Sequence, residues 1–258
     1  MRDDVVISVK NLSMGFQDEI LMQDISFEIY SGDIFVILGG SGSGKSTLLK
    51  HLIGLYSPLS GQILIKGRDI TRADDSEKAE IMRAIGISYQ SGALFGSMTL
   101  LENVRLPLEE FTNLTITAMN LISRIKLSQV GLIGYENHMP SELSGGMQKR
   151  AAIARAMALD PSILFLDEPS AGLDPITSLE LDELILNLAQ SLRITFVIVT
   201  HELSSIFKIG RRMIILDKKR KTIAAEGAPA DLRNNSSDPW VRSFLNRTNP
   251  DKVQNLKH

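Results

Sequence analysis

The sequence of 258 residues contains no cysteine and few aromatic residues, with one tryptophan and an aromatic share of 5%. Without cysteine the chain cannot form a disulfide, use a thiol nucleophile or bind a metal through thiolates, and it suits a reducing compartment. The formal net charge is only -2, so there is no basic excess for nucleic acid or for an anionic membrane surface. We therefore expect no nucleic-acid partner.

Long hydrophobic runs are also missing. The most apolar stretches are residues 34–38, 163–166 and 196–199, well below the roughly 18–20 residues that cross a bilayer. Residues 1–4 (MRDD) lack the basic and apolar regions of a signal peptide. We expect any membrane task to depend on a partner that supplies the membrane-spanning segments.

Short apolar strands alternate with helical patterns along most of the chain. Residues 34–38 (IFVIL) are typical of a central strand that is covered on both faces. From about 91 to 160 the pattern is mainly helical, and Thr99 with Glu102 predicts a capping box. The sequence predicts an α/β fold whose parallel core is interrupted by a helical lobe. The predicted strands are 5–9, 24–30, 34–38, 62–66, 87–89, 163–166, 195–199, 213–216 and 222–225, and the predicted helices are 45–54, 115–126, 146–159 and 176–192.

A glycine-rich segment separates the strand 34–38 from the helix 45–54. It matches G-x-x-x-x-G-K-[ST], which binds nucleotide phosphates when it joins a buried strand to a helix. Glycine lets the backbone turn tightly, and the following helix directs its positive end at the phosphates. We expect Lys45 to contact the β and γ phosphates and the hydroxyl of Ser46 to ligate Mg²⁺. The predicted ATP-binding residues here are Gly39, Gly40, Ser41, Gly42, Ser43, Gly44, Lys45, Ser46 and Thr47.

A second functional element is an apolar strand that ends in two acids, Asp167 and Glu168. Phosphate loops work with a carboxylate at the end of a neighbouring strand, which holds the magnesium shell. Asp167 is the candidate for that role. Glu168 is placed to polarise an attacking water as general base.

Between these two elements, residues 143–150 (LSGGMQKR) resemble the signature loop of ABC ATPases. Further elements of that family occur in the right order around it. Gln90 resembles the Q-loop glutamine, residues 170–174 (SAGLD) resemble the D-loop, and His201 resembles the switch histidine. Phe16 lies where the family usually has an aromatic residue that stacks on adenine. The resemblance covers roughly residues 5–230.

The resemblance implies a P-loop NTPase fold with a RecA-like parallel core sheet and an antiparallel β subdomain, carrying an inserted α-helical subdomain. Residues 1–90 and 161–233 would form the nucleotide-binding core, 91–160 the helical signature subdomain and 234–258 a C-terminal helix and tail. It implies that two copies face head to tail, with MgATP between the phosphate loop of one and the signature loop of the other.

The resemblance also assigns roles to single residues. Glu168, His201, Lys45 and Gln90 are the expected catalytic residues. The expected metal ligands are Ser46, Gln90 and Asp167, Asp174 would bridge the two copies, and the residues that would reach the partner's ATP are Ser144, Gly145, Gly146 and Met147. Because Ser144, Gly145 and Gly146 open a helix, their N–H groups can cap a γ-phosphate. Met147 departs from the family, which commonly has glutamine there.

Two stretches resemble one branch, the ATPases of MCE-type lipid transporters of the Mla or organic-solvent-tolerance group. They are residues 90–99 (QSGALFGSMT) and 139–147 (MPSELSGGM). This implies inner-membrane permease subunits, an MCE-domain periplasmic protein and a small STAS-domain protein as partners, and a peripheral location on the cytoplasmic face of the inner membrane. Residues 91–98 would dock the permease. The tail around Trp240 and Phe244 resembles the same group, and the two residues share one helix face.

Three alternatives remain open. An ABC protein of ribosomes or DNA repair would carry tandem cassettes or long coiled coils, whereas this sequence has one phosphate loop and no long heptad stretch. An importer ATPase for a polar solute would show the same motor motifs. A regulatory binder that holds ATP without turnover is disfavoured by Glu168 and His201.

Overall fold

The computed structural model describes residues 4–16 and 19–248, except for the side chain of Phe16. The strands are β1 (Val5–Phe16), β2 (Glu19–Tyr30), β3 (Ile34–Gly39), β4 (Ser60–Ile65), β5 (Arg68–Asp69), β6 (Ile85–Ser88), β7 (Ile163–Asp167), β8 (Thr195–Val199), β9 (Arg212–Asp217) and β10 (Thr222–Gly227). The helices are α1 (Lys45–Leu52), α2 (Asp75–Arg83), α3 (Leu100–Phe111), α4 (Ile116–Gln129), α5 (Gly145–Ala156), α6 (Pro175–Leu192), α7 (Leu203–Ile209), α8 (Pro229–Asn235) and α9 (Pro239–Leu245), with a 3-10 turn at Pro140–Glu142.

The chain divides into two compact units. The first comprises Met1–Arg72 with Val199–His258, and the second comprises Ala73–Ile198. Each is described by itself below.

The first unit contains an antiparallel sheet in the order β2-β1-β4-β5. Its other strands run in the order β10-β9-β3, with β3 parallel to β9 and β9 antiparallel to β10. Every residue of β3 is buried, as its continuously apolar sequence predicts. The phosphate loop begins where this buried strand ends.

The second unit combines the strand order β8-β7-β6 with helices α2 to α6. β6 and β7 are parallel, with Ser88 opposite Leu166. The two strands therefore end side by side, which places the segments after Ser88 and after Leu166 next to each other. These are the segments that carry Gln90 and the acidic pair.

Local sequence explains where the helices begin. The capping box predicted for α3 is confirmed, because Glu102 N–H donates to Thr99 Oγ1 at 3.3 Å and Thr99 N–H donates to Glu102 Oε2 at 2.8 Å. Asp74 and Glu77 form a second box at α2, a helix that the sequence patterns did not predict. The sequence patterns miss α2 because only Ile81 of its residues is buried. A helix that buries one residue shows no apolar stripe in its sequence.

The predicted fold class is confirmed. Most predicted element ends lie within three residues of the observed ones, whereas β1 ends seven residues later and β2 begins five residues earlier than predicted. The leucine residues of the helical lobe are only partly buried. Leu100 and Leu108 are buried, whereas Leu121 is 61% exposed. On α9, Trp240 and Phe244 stack at 5.3 Å between ring centroids, and the fully buried positions are Val241 and Leu245 instead.

Candidate functional site

The loop between β3 and α1 is closed by its own backbone. Ser43 N–H donates to the carbonyl of Gly40 at 3.2 Å, and Leu48 N–H donates to that of Gly44 at 2.8 Å. Gly44 has φ of 89°, a left-handed conformation that glycine adopts without strain. Within the described part of the chain no side chain caps α1, so the N–H groups of its first turn can bind an anion.

Three side chains of this loop have different surroundings. Lys45 Nζ donates to the carbonyl oxygens of Gly39 at 2.9 Å and Gly40 at 3.3 Å, which keeps the ammonium over the loop. Ser43 is 2% exposed, and its hydroxyl has no hydrogen-bond partner among the described residues. A Cβ at Gly39 would lie 2.3 Å from Ser43 Oγ and 3.1 Å from the carbonyl oxygen of Leu216, so a larger residue there would displace the Ser43 side chain. Ser46 is exposed, as a metal-ligating hydroxyl requires.

His201 lies in the connection between β8 and α7, and its side chain is 58% exposed. The connection is fixed by the buried Thr200. Thr200 N–H donates to the carbonyl of Ile37 in β3 at 3.3 Å, and its hydroxyl accepts from Glu202 N–H at 3.1 Å. Because β3 leads into the phosphate loop, these bonds tie the His201 segment to the strand that positions that loop.

Phe16 is the last residue of β1, where it pairs with Glu19. Its side chain lies outside the described residues. Stacking of this ring on adenine therefore stays a prediction.

In the second unit, β7 delivers Asp167 and Glu168 at its carboxyl end. Asp167 is half-buried and Glu168 is 8% exposed. Glu168 has φ of 46°, a left-handed backbone that is uncommon outside glycine and is concentrated at functional sites. The Glu168 carbonyl accepts from Ala171 N–H at 3.1 Å, which starts the turn toward α6.

The signature residues open α5 as expected. Ser144 is the N-cap, and its hydroxyl accepts from Met147 N–H at 3.3 Å. Ser144 and Gly145 are exposed, whereas Gly146 is buried. A Cβ at Gly146 would lie 2.3 Å from Thr177 Cγ2 of α6. Glycine at 146 is therefore required by helix packing, a reason that the motif alone did not reveal.

Gln90 is exposed and lies two residues after the end of β6. Its carbonyl accepts a hydrogen bond from Lys149 Nζ of α5, and the same ammonium lies 3.5 Å from the carbonyl of Glu168. Burial lowers the pKa of Lys149, and the nearby carboxylates of Asp167 and Glu168 oppose that shift. One lysine of the signature helix thus contacts both strand-end segments.

A cleft of about 630 Å³ lies among these segments of the second unit. Gln90, Gly145, Lys149 and Asp167 line it together with residues 171–173. The unit therefore brings together three elements that are far apart in sequence: the Q-loop, the signature helix and the acidic strand end.

Asp174 caps α6. Its carboxylate accepts from the N–H groups of Ile176 and Thr177, each at 3.0 Å, and from the Thr177 hydroxyl at 2.5 Å. The hydrogen bonds from Thr177 lower the pKa of this carboxyl. The carboxylate has a local role in this chain, and its bridging role between two copies stays a prediction.

The segment after Gln90 is shaped by one buried amide. Asn103 of α3 is 0% exposed. Its side chain accepts from Phe95 N–H at 2.8 Å and donates to the carbonyls of Phe95, Met98 and Thr99 at 3.0 to 3.1 Å. The Phe95 ring, by contrast, is 49% exposed. The segment presents an aromatic side chain on a backbone that is held in place.

Residues 4–16 and 19–248 include no group of three or more His, Asp or Glu side chains that could hold a metal by itself. Mg²⁺ in nucleotide enzymes is usually bound by one or two protein oxygens together with the phosphates. In the second unit the Asp167 carboxylate and the Gln90 amide oxygen are hard oxygen donors of that kind, and both residues line the cleft. The exposed Ser46 hydroxyl of the first unit is another. The donor chemistry of each residue suits Mg²⁺.

Three residues of this region had no role in the sequence predictions. Lys149 is part of the signature segment but no function was expected of it. Arg155 donates to the carbonyls of Gly92 and Ala93 at 2.8 and 2.7 Å, and Asn103 holds residues 95–99. A polar residue on the apolar face of α3 is the one signal that could have indicated Asn103.

None of the described helices has the length and apolarity needed to span a membrane.

The fold and the two strand-end motifs define the class of P-loop ATPases. Residues 22–171 match the ABC transporter family. The structure is similar to a dimeric ATP-binding cassette in a post-hydrolysis state with bound ADP and Pi, with a TM-score of 0.77 and 32% identity over 86% of this chain and 98% of that one.

Two relatives extend the similarity along nearly the whole chain. One is a probable ribonucleotide transport ATP-binding protein of Mycobacterium leprae, 41% identical over 94% of this chain and 69% of the relative. The other is the intermembrane phospholipid transport system ATP-binding protein MlaF of Haemophilus influenzae, 40% identical over 93% of this chain and 90% of the relative. The chain belongs to the ABC transporter family. It is an ABC-type ATPase, as its motifs predicted.

Proposed function

We propose that this chain hydrolyses ATP to power an ABC transporter that moves phospholipids or related hydrophobic molecules between the membranes of a diderm bacterium. The observation that carries this proposal is the 40% identity to a phospholipid transport ATPase over 90% of that relative's length. The lipid-branch features of residues 90–99 and 139–147 support it. The chain would act as a peripheral subunit on the cytoplasmic face of the inner membrane.

The partners follow from that function. A second copy of the chain would complete each ATP site, since Ser144, Gly145, Gly146 and Met147 serve the nucleotide of the opposite copy. Permease subunits would bind residues 91–98, where the exposed Phe95 ring stands on a backbone fixed by Asn103. An MCE-domain protein in the periplasm and a small STAS-domain protein would complete the assembly.

The residues divide the work of hydrolysis. Residues 39–47 would bind the phosphates through backbone N–H groups and Lys45, and Phe16 would stack on adenine. Mg²⁺, held by Ser46, Gln90 and Asp167, would neutralise charge on the β and γ phosphates. Glu168 would accept the proton of the attacking water, and its strained backbone supports that assignment.

The other polar groups act on the γ-phosphate and between copies. His201 would donate a hydrogen bond to the γ-phosphate, which stabilises the charge that develops during transfer. Asp174, besides capping α6, would contact the facing copy.

The relative from Mycobacterium leprae supports a second candidate, the ATPase of a transporter for a polar solute, because its name refers to ribonucleotide transport. The two candidates share every motor residue and differ in the cargo of the permease.

The deciding experiment is affinity purification of the full chain from its own cells in mild detergent, with proteins and lipids identified by mass spectrometry. We expect a multi-span permease, an MCE-domain protein and bound phospholipid. A permease that arrives with a soluble-solute binding protein and no lipid would support the polar-solute candidate and reject the lipid one. Recovery of ribosomal or DNA-repair proteins instead would reject both.

The docking role is tested by replacing Leu94 and Phe95 with alanine. Loss of the permease from the purified complex with unchanged ATP binding is expected, because the exposed ring is the contact. Leu55→Ala, at a leucine that is 57% exposed in the first unit, is the matched control. Normal permease recovery with the double variant would contradict the docking role.

A further inference from the structure

Three of the four carbonyl groups of residues 90–93 are held by two cations of α5. Lys149 donates to the carbonyl of Gln90, and Arg155 donates to those of Gly92 at 2.8 Å and Ala93 at 2.7 Å. Gly92 and Ala93 both have positive φ, at 72° and 48°. Consecutive left-handed residues persist only where their surroundings hold them. The turn also has a backbone bond of its own, from Gly92 N–H to the Tyr89 carbonyl at 2.7 Å. The helix that begins with the signature loop adds three further contacts that maintain this turn.

Lys149 differs from Arg155 in what else it reaches. Its ammonium lies 3.5 Å from the carbonyl of Glu168, so one charged group contacts the main chain at two separate strand ends. Those strand ends belong to β6 and β7, which are adjacent and parallel. The ammonium is half-buried and is attracted by the carboxylates of Asp167 and Glu168. A half-buried cation with several acceptors favours a fixed separation between them.

We propose that Lys149 is a positioning residue for ATP hydrolysis, which holds the main chain at Gln90 and at Glu168 in one arrangement. The Gln90 amide and the Glu168 carboxylate would then meet the same nucleotide with a constant spacing. This inference rests on the roles proposed above for those two residues. Lys149 itself transfers no proton and binds no metal. A lysine with only a structural role would affect stability and would not separate turnover from nucleotide binding.

The test compares Lys149→Met, which keeps an unbranched side chain as far as the ε position and removes the ammonium, with Lys149→Arg, which keeps a cationic donor. Lys10→Met, at an exposed lysine of β1, is the control. We expect kcat of Lys149→Met to fall roughly ten- to a hundred-fold, as misplaced catalytic groups do. KM and the affinity for a fluorescent ATP analogue should change by less than about twofold. Lys149→Arg should recover most of kcat.

A second readout does not depend on turnover. Hydrogen–deuterium exchange of the peptide that covers residues 89–93 should become faster in Lys149→Met, whereas exchange in residues 39–47 should stay at the parental rate. Parental kcat or parental exchange at residues 89–93 would overturn the proposal. An equal loss of ATP affinity and kcat together with a lower melting temperature would also overturn it, in favour of a structural role.

Glu168→Gln, measured in parallel, separates this inference from the function on which it rests. We expect that variant to bind ATP and to lose turnover. If it hydrolyses ATP at the parental rate, the role proposed for Glu168 fails. If it loses turnover while Lys149→Met does not, only the role of Lys149 fails.

Discussion

The phosphate loop and the segment from Gln90 to Thr99 are both candidate functional segments that follow a strand, and they are held in different ways. The phosphate loop is held by neighbours in sequence: Ser43 N–H bonds to the carbonyl of Gly40, and Lys45 folds back onto Gly39 and Gly40. The later segment has backbone bonds of its own, from Gly92 N–H to the Tyr89 carbonyl at 2.7 Å and from Met98 N–H to the Phe95 carbonyl at 3.1 Å. It is held in addition by side chains of helices: Asn103 of α3 bonds to residues 95–99, and residues 90–93 bond to side chains of α5 that are 59 to 63 residues away.

This difference has a physical consequence. A loop that is closed by its own backbone keeps its shape as long as its own residues are intact. A loop that is tied to distant side chains changes shape when those side chains move. The second arrangement suits a segment that must respond to a partner, because its geometry depends on the helix that carries the signature loop.

The largest effect is expected from Lys45→Ala, which breaks the first region locally. Loss of charge-assisted contacts to both the β and the γ phosphate should weaken ATP binding roughly a hundred- to a thousand-fold. Titration with a fluorescent ATP analogue measures this directly. Lys50→Ala is the matched control on the same helix. The Lys50 ammonium lies over the Tyr56 ring, 5.1 Å from the ring centroid, and no contact with phosphate is expected of it. Normal ATP affinity in Lys45→Ala would remove the phosphate-loop assignment.

The same contrast explains what the sequence could predict. The phosphate loop, the acidic strand end and the capping box at Thr99 and Glu102 are short patterns whose geometry is set within a few residues. Each was predicted from the sequence and lies on the element expected for it. Prediction of strand and helix types succeeded for the same reason, since buried strands such as β3 are continuously apolar.

The contacts of Lys149 and Arg155 with the Gln90 turn could not be predicted, because they join residues that only the folded chain brings together. Nothing in the residues around Lys149 or Arg155 indicates that their side chains reach the Gln90 turn. The reason for Gly146 is equally non-local, since the close neighbour is Thr177 on another helix. α2 was missed because it has almost no buried face.

The second largest effect is expected from Asn103→Ala, which removes the buried side chain that holds residues 95–99. Four hydrogen bonds to residues 95–99 would be lost, at a cost of about 2–3 kcal/mol of unfolding free energy. The melting temperature should fall by roughly 4–10 °C. Hydrogen exchange should rise in residues 95–99 and stay unchanged in residues 39–47.

The control for that variant is Asn113→Ala, at an exposed asparagine just after α3. It should leave both the melting temperature and the exchange pattern at parental values. A rise in exchange across both regions would mean that Asn103 supports the whole chain, and the contrast between the two loops would fail.

A smaller effect is expected from Gly146→Ala, which tests the non-local reason for a signature glycine. The new Cβ would meet Thr177 Cγ2 at 2.3 Å, and such overpacking costs about 1–3 kcal/mol. Thr177→Ser removes that methyl group and keeps the hydroxyl that bonds to Asp174. The double variant should therefore recover the stability of Thr177→Ser alone, or exceed it, since alanine favours helix over glycine. Thermal unfolding of all four proteins gives the coupling; additive changes would contradict the packing explanation.

The smallest effect concerns the local capping box at α3. Hydrogen bonds from the N–H and the hydroxyl of Thr99 lower the pKa of Glu102. A carboxyl whose pKa is lowered on folding stabilises the folded state above its unfolded pKa, and this contribution is lost as the pH falls through its folded pKa. Glu102→Gln should therefore be less stable than the parent at pH 7, and the difference should shrink below about pH 4.

Melting temperatures of parent and variant across this range measure the effect, and Glu110→Gln, at an exposed glutamate of the same helix, is the control. A difference that stays constant with pH would mean that Glu102 acts through its shape and its neutral hydrogen bonds. In that case the charge of Glu102 would contribute nothing to the start of α3, and the hydrogen bond from the Asn103 amide to the Thr99 carbonyl at 3.0 Å would be the side-chain contact that matters there.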